Sequence, residues 1–365
     1  MSENTLRIIH RLYKDLTQRE PIAFCPAVSL LNKASEQALL NKPTGFNPDE
    51  VCQILVIDSD KVVGGVNTFT TRVKVDEDIR VIQSGSHLFV NEKYRKSEIG
   101  ADLFMDFTFL HSSQSCLTGG ISQMAIKMYK ALKYAVFEFP RLIYLRKSRS
   151  VIHSFFKTNS IFLTPVIWFA DALLVIHRTL LSIPVYRILK DYEIHEEFTI
   201  PEEIESIVLS DAPQFMELHD KRWFEWALKY SFSDDKRNQK HLYSIRRDGK
   251  VQAFFLIKLE FFEQASSRGF KNVYLGSIME WGIHPGSSLK ESDIYLLAMR
   301  MFPKSCDGIQ VASTNNDTIK KLKKYLFVNI GKANMAVRLG HKVLKEYDDM
   351  TQWRIRLAAG DTIVN

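Results

Sequence analysis

The chain has 365 residues, 45% hydrophobic and 25% charged, an ordinary balance for a water-soluble protein long enough for two domains. Its net charge of +7 favours an anionic partner, but Lys and Arg are spread out, with no dense block beyond Lys320-Lys321 and Lys323-Lys324, so no nucleic acid is expected. Cys25, Cys52, Cys116 and Cys306 lie far apart without a Cys-x-x-Cys pair, which argues for free thiols, against a zinc site, and, with an N-terminus that lacks an apolar signal core, for a cytoplasmic protein.

Residues 5–40 carry apolar side chains at helical spacing: Leu6, Ile8, Ile9, Leu12 and Tyr13, then Val28, Leu30, Leu31, Ala34 and Leu39. Pro21 and Pro26 divide them into two predicted helices, with Leu6 to Ile9 as the one candidate for an opening strand. Val51 to Asp58 and Lys61 to Val75 read as a hairpin turning at Ser59-Asp60, in which Gly64-Gly65 suggests a bulge or a close backbone approach. Ile79 to Val90 is the third strand. It breaks into a short polar turn, and Gly100 opens a helix with Leu103, Phe104, Phe107 and Leu110 on one face. A helix restarting after such a turn leaves its first amides unpaired, which suits a phosphate, and Arg95 adds a charge that can fork onto phosphate oxygens. Leu117 to Ile121 ends another strand, and Ser122 to Tyr134 is a helix with its stripe at Met124, Ala125, Met128 and Leu132.

These two strand–turn–helix units resemble the GNAT (GCN5-related N-acetyltransferase) superfamily. The first unit, Arg95-Lys96-Ser97-Glu98-Ile99-Gly100, is similar to that family's acetyl-CoA signature, with Glu98 where glycine is usual. The second, Ser122 through Ala125, Met128 and Tyr129 to Lys133 and Tyr134, is similar to its Asn-x-x-Ala-x-x-Leu-Tyr-x-x-x-Gly-Phe pattern, with Ser122 for Asn and Lys133 for Gly. The resemblance implies an α/β (α+β) fold with a mixed, mostly antiparallel sheet flanked by helices, and acetyl-CoA or another acyl-CoA as co-substrate without a metal. It implies cofactor contacts from Phe89, Val90, Arg95, Lys96, Ser97, Ile99, Gly100, Ala101 and Ser122, with the Val90 amide on the thioester carbonyl. It also implies Tyr129 as the acid that protonates the departing thiolate. His87 is a candidate base, with Glu92 and Glu280 as weaker ones.

Phe137 to Arg146 is a further strand. Ser154 to Leu189 is intensely apolar, with an uninterrupted core from Ile161 to Ile176 broken only by Thr164, Pro165 and Asp171. It reads either as a helix buried between domains or as a segment dipping into a membrane surface. From about residue 200 the pattern begins again. Ile204 to Leu209 is strand-like, Asp211 caps a predicted helix through Phe215, Leu218, Trp223 and Leu228, and Asp248-Gly249 turns a hairpin between His241–Arg246 and Lys250–Phe262. Tyr274 to Ile283, a helix over Ile294 to Phe302, a strand at Ile309 to Ala312 and a helix from Asn315 follow. Lys61, Val90 and Ser122 then match Lys250, Ile283 and Asn315, which predicts two tandem GNAT-like domains, 1–150 and 199–365, joined by an apolar helical linker over 151–198. In the second copy Ser288, Glu291, Asp293 and Leu322 replace the working residues, so it is expected to shape the acceptor site rather than bind CoA.

The expected activity is acyl transfer, acetyl in the simplest case, to an amine on a small molecule or glycan, such as an amino sugar or a cell-envelope precursor. The alternative is a non-catalytic ligand-binding or scaffold protein on the same fold, which the departures at Glu98, Ser122 and Lys133 favour.

Overall fold

The structure is a computed structural model that describes residues 6–18, 33–59, 61–110, 115–149, 163–211, 213–233, 235–263, 272–340 and 348–360. The first half runs β1 (Leu6–Leu12), α1 (Tyr13–Gln18), α2 (Lys33–Leu40), β2 (Val51–Asp58), β3 (Lys61–Val75), β4 (Asp78–Val90), α3 (Ile99–Phe109), β5 (Cys116–Gly119), α4 (Gln123–Ala131) and β6 (Ala135–Leu145). A long helix α5 (Thr164–Ile188) follows, then β7 (Glu193–Glu197), α6 (Glu202–Ser210), β8 (Phe215–Glu217), α7 (Lys221–Lys229), β9 (Gln239–Arg247), β10 (Lys250–Phe262), β11 (Val273–Ile283), α8 (Glu291–Met301), β12 (Gly308–Ala312), α9 (Asn316–Lys324), β13 (Val328–Arg338) and β14 (Trp353–Arg354).

All the strands belong to one mixed, mostly antiparallel sheet in the order β1-β2-β3-β4-β5-β13-β6-β12-β11-β10-β9-β7, with β8 pairing β3 and β14. The order β-β-β-α-β-α-β occurs twice, as β2 to β6 and as β9 to β13. Each run ends in a strand that crosses over: β13 lies between β5 and β6, and β6 lies between β13 and β12. The two crossing strands pair from Val328↔Ile143 to Val337↔Ala135, so the segments 1–150 and 199–365 share one ladder.

Local chemistry explains most elements. Asp248 and Gly249 both take positive φ, as a two-residue hairpin turn requires. A Cβ on Gly65 would meet Leu55 at 2.8 Å, and one on Gly64 would meet Leu103 at 3.1 Å, so this pair lets β2 and α3 approach β3 closely. One face of the first half is packed by α3 and α4 through Leu103, Phe104, Phe107, Ile126 and Tyr129. A second core joins both halves: Tyr13 and Leu39 from α1 and α2 meet Trp223, Phe224 and Phe254, and the Trp226 indole donates to Ala38 O at 2.8 Å.

Several expectations need correction. Leu6–Leu12 is a strand rather than a helix, because pairing with β2 from Leu6↔Asp58 to Leu12↔Val51 overrides its local periodicity. The second expected helix survives as α2; residues 19–32 lie outside the described ones. Ile204 to Leu209 is helical, within α6: Pro201 precedes it, Glu202, Glu203 and Glu205 complement the dipole of its first turn, and Ile204, Ile207 and Val208 are buried at helical spacing. Asp211 ends that helix rather than capping a new one. Phe215 belongs to β8, and α7 is capped by Asp220, whose carboxylate accepts from the Trp223 amide at 3.1 Å. Of the apolar run, residues 154–162 lie outside the described ones; the rest forms α5 and is not buried between the halves, since among the side chains of that helix only Ile167, Leu181 and Val185 are buried.

The packing predicts a specific sensitivity. A Cβ on Gly85 would lie 2.5 Å from the ring of Phe107, which is itself buried in the α3 core. Gly85→Ala is therefore expected to lower stability by about 1–3 kcal/mol, read as a lower urea midpoint with unchanged slope.

Candidate functional site

The site begins with a strand that cannot pair on both sides. β3 and β4 run in register from Gly64↔Val90 to Gly65↔Phe89, then resume at Asn67↔Ser86, so His87 and Leu88 together face Val66. This is a β-bulge, and His87 adopts a φ of 52°. On the other side, β4 and β5 pair only at Gln83↔Cys116 and Ser84↔Leu117. Beyond that point they part, and the Gly120 amide turns to donate to Asn334 O of β13 at 2.9 Å. The Asn91 amide donates to Val63 O at 2.8 Å. By strand alternation the neighbouring Val90 amide faces away from β3, towards the gap that β5 has left.

The gap opens into a cavity of about 730 Å³. At the β4–β5 end it is lined by Val66, His87, Phe104, Thr118, Ser122 and Tyr129, and it reaches across the sheet centre to Arg141, Lys258, Glu260, Ser277, Gln310 and Arg356. Tyr129 is 3% exposed and packs edge-on against Phe104 at 4.7 Å and Tyr134 at 5.0 Å. Burial pushes its phenol well above the usual tyrosine range despite a hydrogen bond with Thr118, so the hydroxyl holds its proton throughout neutral pH. His87 Nδ1 lies 3.2 Å from Ser86 Oγ. Ser122 caps α4, its Oγ accepting from the Ala125 amide at 3.2 Å.

The residues assigned to the phosphate turn stand beside this cavity rather than in its lining. Asn91 caps a 3-10 turn over Glu92–Tyr94, Ser97 Oγ donates to Tyr94 O at 2.6 Å, and Arg95 Nε donates to Val90 O at 3.3 Å. Ile99 is buried against Gly64 and belongs to the core, and its amide donates to Ser97 Oγ at 3.5 Å. Phe89 packs against Gly65. The amides of Lys96, Glu98 and Gly100 make no hydrogen bond to the described residues, and that of Ala101 donates to Glu98 O at 2.8 Å. Glu98 is exposed at the start of α3 and makes no side-chain capping bond, so the carboxylate that departs from the family pattern does not plug the turn. Lys133 takes a φ of 59°, the left-handed backbone that the glycine of the pattern adopts freely.

The corresponding turn of the second half is filled by its own side chains. Asp293 accepts from the Lys290 amide at 3.0 Å, while Glu291 accepts from the Tyr295 hydroxyl at 2.9 Å and from Thr318 Oγ1 at 3.1 Å. β11 is also bulged, at Met279, and beside it Glu280 enters a buried ion cluster. Its carboxylate meets His219 Nδ1 and accepts from Arg354 at 2.6 Å, and Arg356 lies 3.5 Å away. His219 stacks on Trp223 at 3.8 Å and sits 3.3 Å from Glu217, which accepts from Thr71 and from the Gly360 amide. Glu280 is thus committed to structure and unsuited to act as a base. Lys258, Glu260, Arg141 and Asn334 reach the cavity from late or central strands, and no local motif marked them.

No protein-family model matches this sequence, and no curated protein matches it either. Among solved structures, the Saccharomyces cerevisiae N-myristoyltransferase with bound myristoyl-CoA aligns with a TM-score of 0.59 over 94% of this chain and 86% of that one, at 11% identity. This chain shares the fold of that structure, a mixed, mostly antiparallel sheet flanked by helices. A conserved Enterococcus faecalis protein, described as a probable N-acyltransferase, aligns with a TM-score of 0.50 over 92% of this chain and 73% of that one, at 9% identity. A GCN5-related N-acetyltransferase from Anabaena variabilis aligns with a TM-score of 0.48, over 92% and 72%, at 10% identity. The parted strands β4 and β5 lie in the first half, and the described residues reaching into the cavity from the second half come from β10 to β13 and the segment after β14.

The ion cluster sets a pH window. Burial pushes the Glu280 carboxyl up, but Arg354, His219 and Arg356 overcome it and hold the group at about 2. Burial alone lowers His219, and Glu280 and Glu217 reverse this and raise it. Glu280 therefore stabilises the fold above its ordinary 4.5, a contribution lost as pH falls from there towards 2; His219 does so below its ordinary 6.5, a contribution lost as pH rises through its elevated value. Glu280→Gln, which leaves buried cations uncompensated, is expected to cost about 3–5 kcal/mol in urea unfolding between those two limits and to flatten the acid limb of the stability profile.

Proposed function

We propose that the chain is an acyl-CoA-dependent N-acyltransferase whose chemistry takes place where β4 and β5 part. The observation that carries this reading is the juxtaposition of the bulged His87 and the buried, protonated Tyr129 around one cavity, with the Val90 amide turned away from β3 a few residues further along β4. The amides of Lys96, Glu98 and Gly100, with the dipole of α3 behind them, suit the pyrophosphate of the carrier, and Arg95 and Lys96 add positive charge. The Val90 amide is placed to donate to the thioester oxygen as charge develops there. His87 accepts the proton that the attacking amine loses, and Tyr129 gives its proton to the departing thiolate. The second half, its own turn filled by Glu291 and Asp293, supplies the far wall of the cavity and with it the acceptor side.

The acyl group is acetyl in the simplest form of this proposal, and the acceptor an amine on an amino sugar or a cell-envelope precursor. Binding of acetyl-CoA or myristoyl-CoA at a hundred times its dissociation constant is expected to add about 2.7 kcal/mol of stability, read as a rise in Tm. The longer thioester tests whether the cavity prefers a fatty chain. Tyr129→Phe is expected to keep that thermal shift while thiol release in the presence of an amine falls by about 10²–10⁴-fold. Absence of any shift with either thioester at millimolar concentration would instead favour the non-catalytic ligand-binding or scaffold reading.

A further inference from the structure

The helix α5 carries a broad apolar face that lies on the outside of the protein. By length and composition it is the one helix among the described residues fit to cross a membrane. Trp168 is 74% exposed, Tyr186 65%, Phe169 62% and Ile176 58%. At 3.6 residues per turn, Val166, Phe169, Leu173, Ile176, Leu180 and Ile183 together with Trp168 and Tyr186 cover roughly half of the helix surface. The hydroxyls within that surface are already satisfied: Thr179 Oγ1 donates to Val175 O at 3.0 Å and Ser182 Oγ to Thr179 O at 2.6 Å. Nothing polar on this face needs water until Arg187, at its end.

We propose that this face lies side-on in the surface of an anionic phospholipid bilayer. Three tethers along the helix decide against a spanning arrangement. Near its start, the Ser148 amide donates to Asp171 Oδ1 at 2.6 Å and Ser148 Oγ donates to Ile167 O at 3.2 Å. At its middle, His177 Nδ1 meets the Tyr144 hydroxyl at 3.2 Å. Near its end, Leu181 and Val185 are buried in the second-half core. The axis therefore runs along the body of the protein, and lipid meets the helix from the side.

The breadth of the apolar face points to lipid rather than to a partner helix. One packed helix covers a stripe of about 100°, whereas acyl chains enclose a wider one. Trp168 and Tyr186 stand about five turns apart on one line of the helix, where amphipathic rings suit the headgroup boundary. Charge is complementary as well. Arg178, Arg187 and Lys190 are exposed along and just after the helix, and its one acid, Asp171, is turned back onto Ser148. The exposed Asp191 follows Lys190 and offsets one of these charges.

The full chain is tested by co-sedimentation with vesicles of phosphatidylcholine alone and of phosphatidylcholine mixed with phosphatidylglycerol. The protein is expected to pellet with the mixed vesicles, and less so as salt is raised. The double variant Trp168→Glu, Ile176→Glu is expected to lower the bound fraction by about tenfold while its Tm matches the parent, because both side chains are exposed. A parent that stays in the supernatant, or a double variant that binds as well as the parent, would overturn the proposal. So would a dimer, seen by size-exclusion chromatography, that the double substitution splits while vesicles leave it unchanged.

Discussion

A strand has two edges, and β4 can satisfy both for only part of its length. The bulge at His87 and Leu88 keeps its ladder with β3 intact up to Val90, and the cost is borne on the β5 side, where pairing stops after Ser84. That gap gives the cavity its mouth, turns the Val90 amide outward, and leaves room for Tyr129 to approach from α4. The polar turn beyond β4 and the exposed first amides of α3 follow from the same geometry, since a strand freed from its neighbour can end abruptly and restart as a helix.

The two halves use one pattern for different ends. In the first, the turn before α3 leaves the amides of Lys96, Glu98 and Gly100 without a partner among the described residues and sends Glu98 to solvent. In the second, Glu291 and Asp293 close the equivalent turn through Tyr295, Thr318 and Lys290, and the bulge in β11 leads into a buried ion cluster instead of an open gap. Arg354, anchored to Glu280 and Asp211, pins the segment after β14 across the sheet, so that Leu357 and Ala359 line the cavity. One half thus holds the open gap and the other closes the same positions with its own side chains.

What was legible in the sequence follows from the range of the forces involved. Hairpins around Asp248-Gly249, the stripe of α3 and the turn after Val90 are encoded within a few residues, and they stand where local chemistry puts them. The helical reading of Leu6–Leu12 fails, and the strand candidate at Leu6 to Ile9 stands, because a strand edge, not the segment's own periodicity, decides its state. The α6 segment was misread although Pro201 and three glutamates announced a helix start. β7, β13 and the lining contributed by Lys258 and Asn334 could not be read locally: Asn334 reaches Ile121 across 213 residues of chain. The departures at Glu98 and Lys133 looked disabling as letters, yet one points outward and the other keeps the backbone that glycine would have.

The crossing of β6 and β13 has a consequence for biogenesis. On a ribosome β6 emerges early, but both of its neighbours, β12 and β13, belong to the last sixth of the chain. Until they arrive, Phe137, Phe139, Leu142 and Tyr144 sit on a strand with two open flanks, the kind of surface that recruits foreign strands. The nascent protein therefore has to wait for its own far end, and conditions that slow elongation should bear on its yield more than on its finished stability.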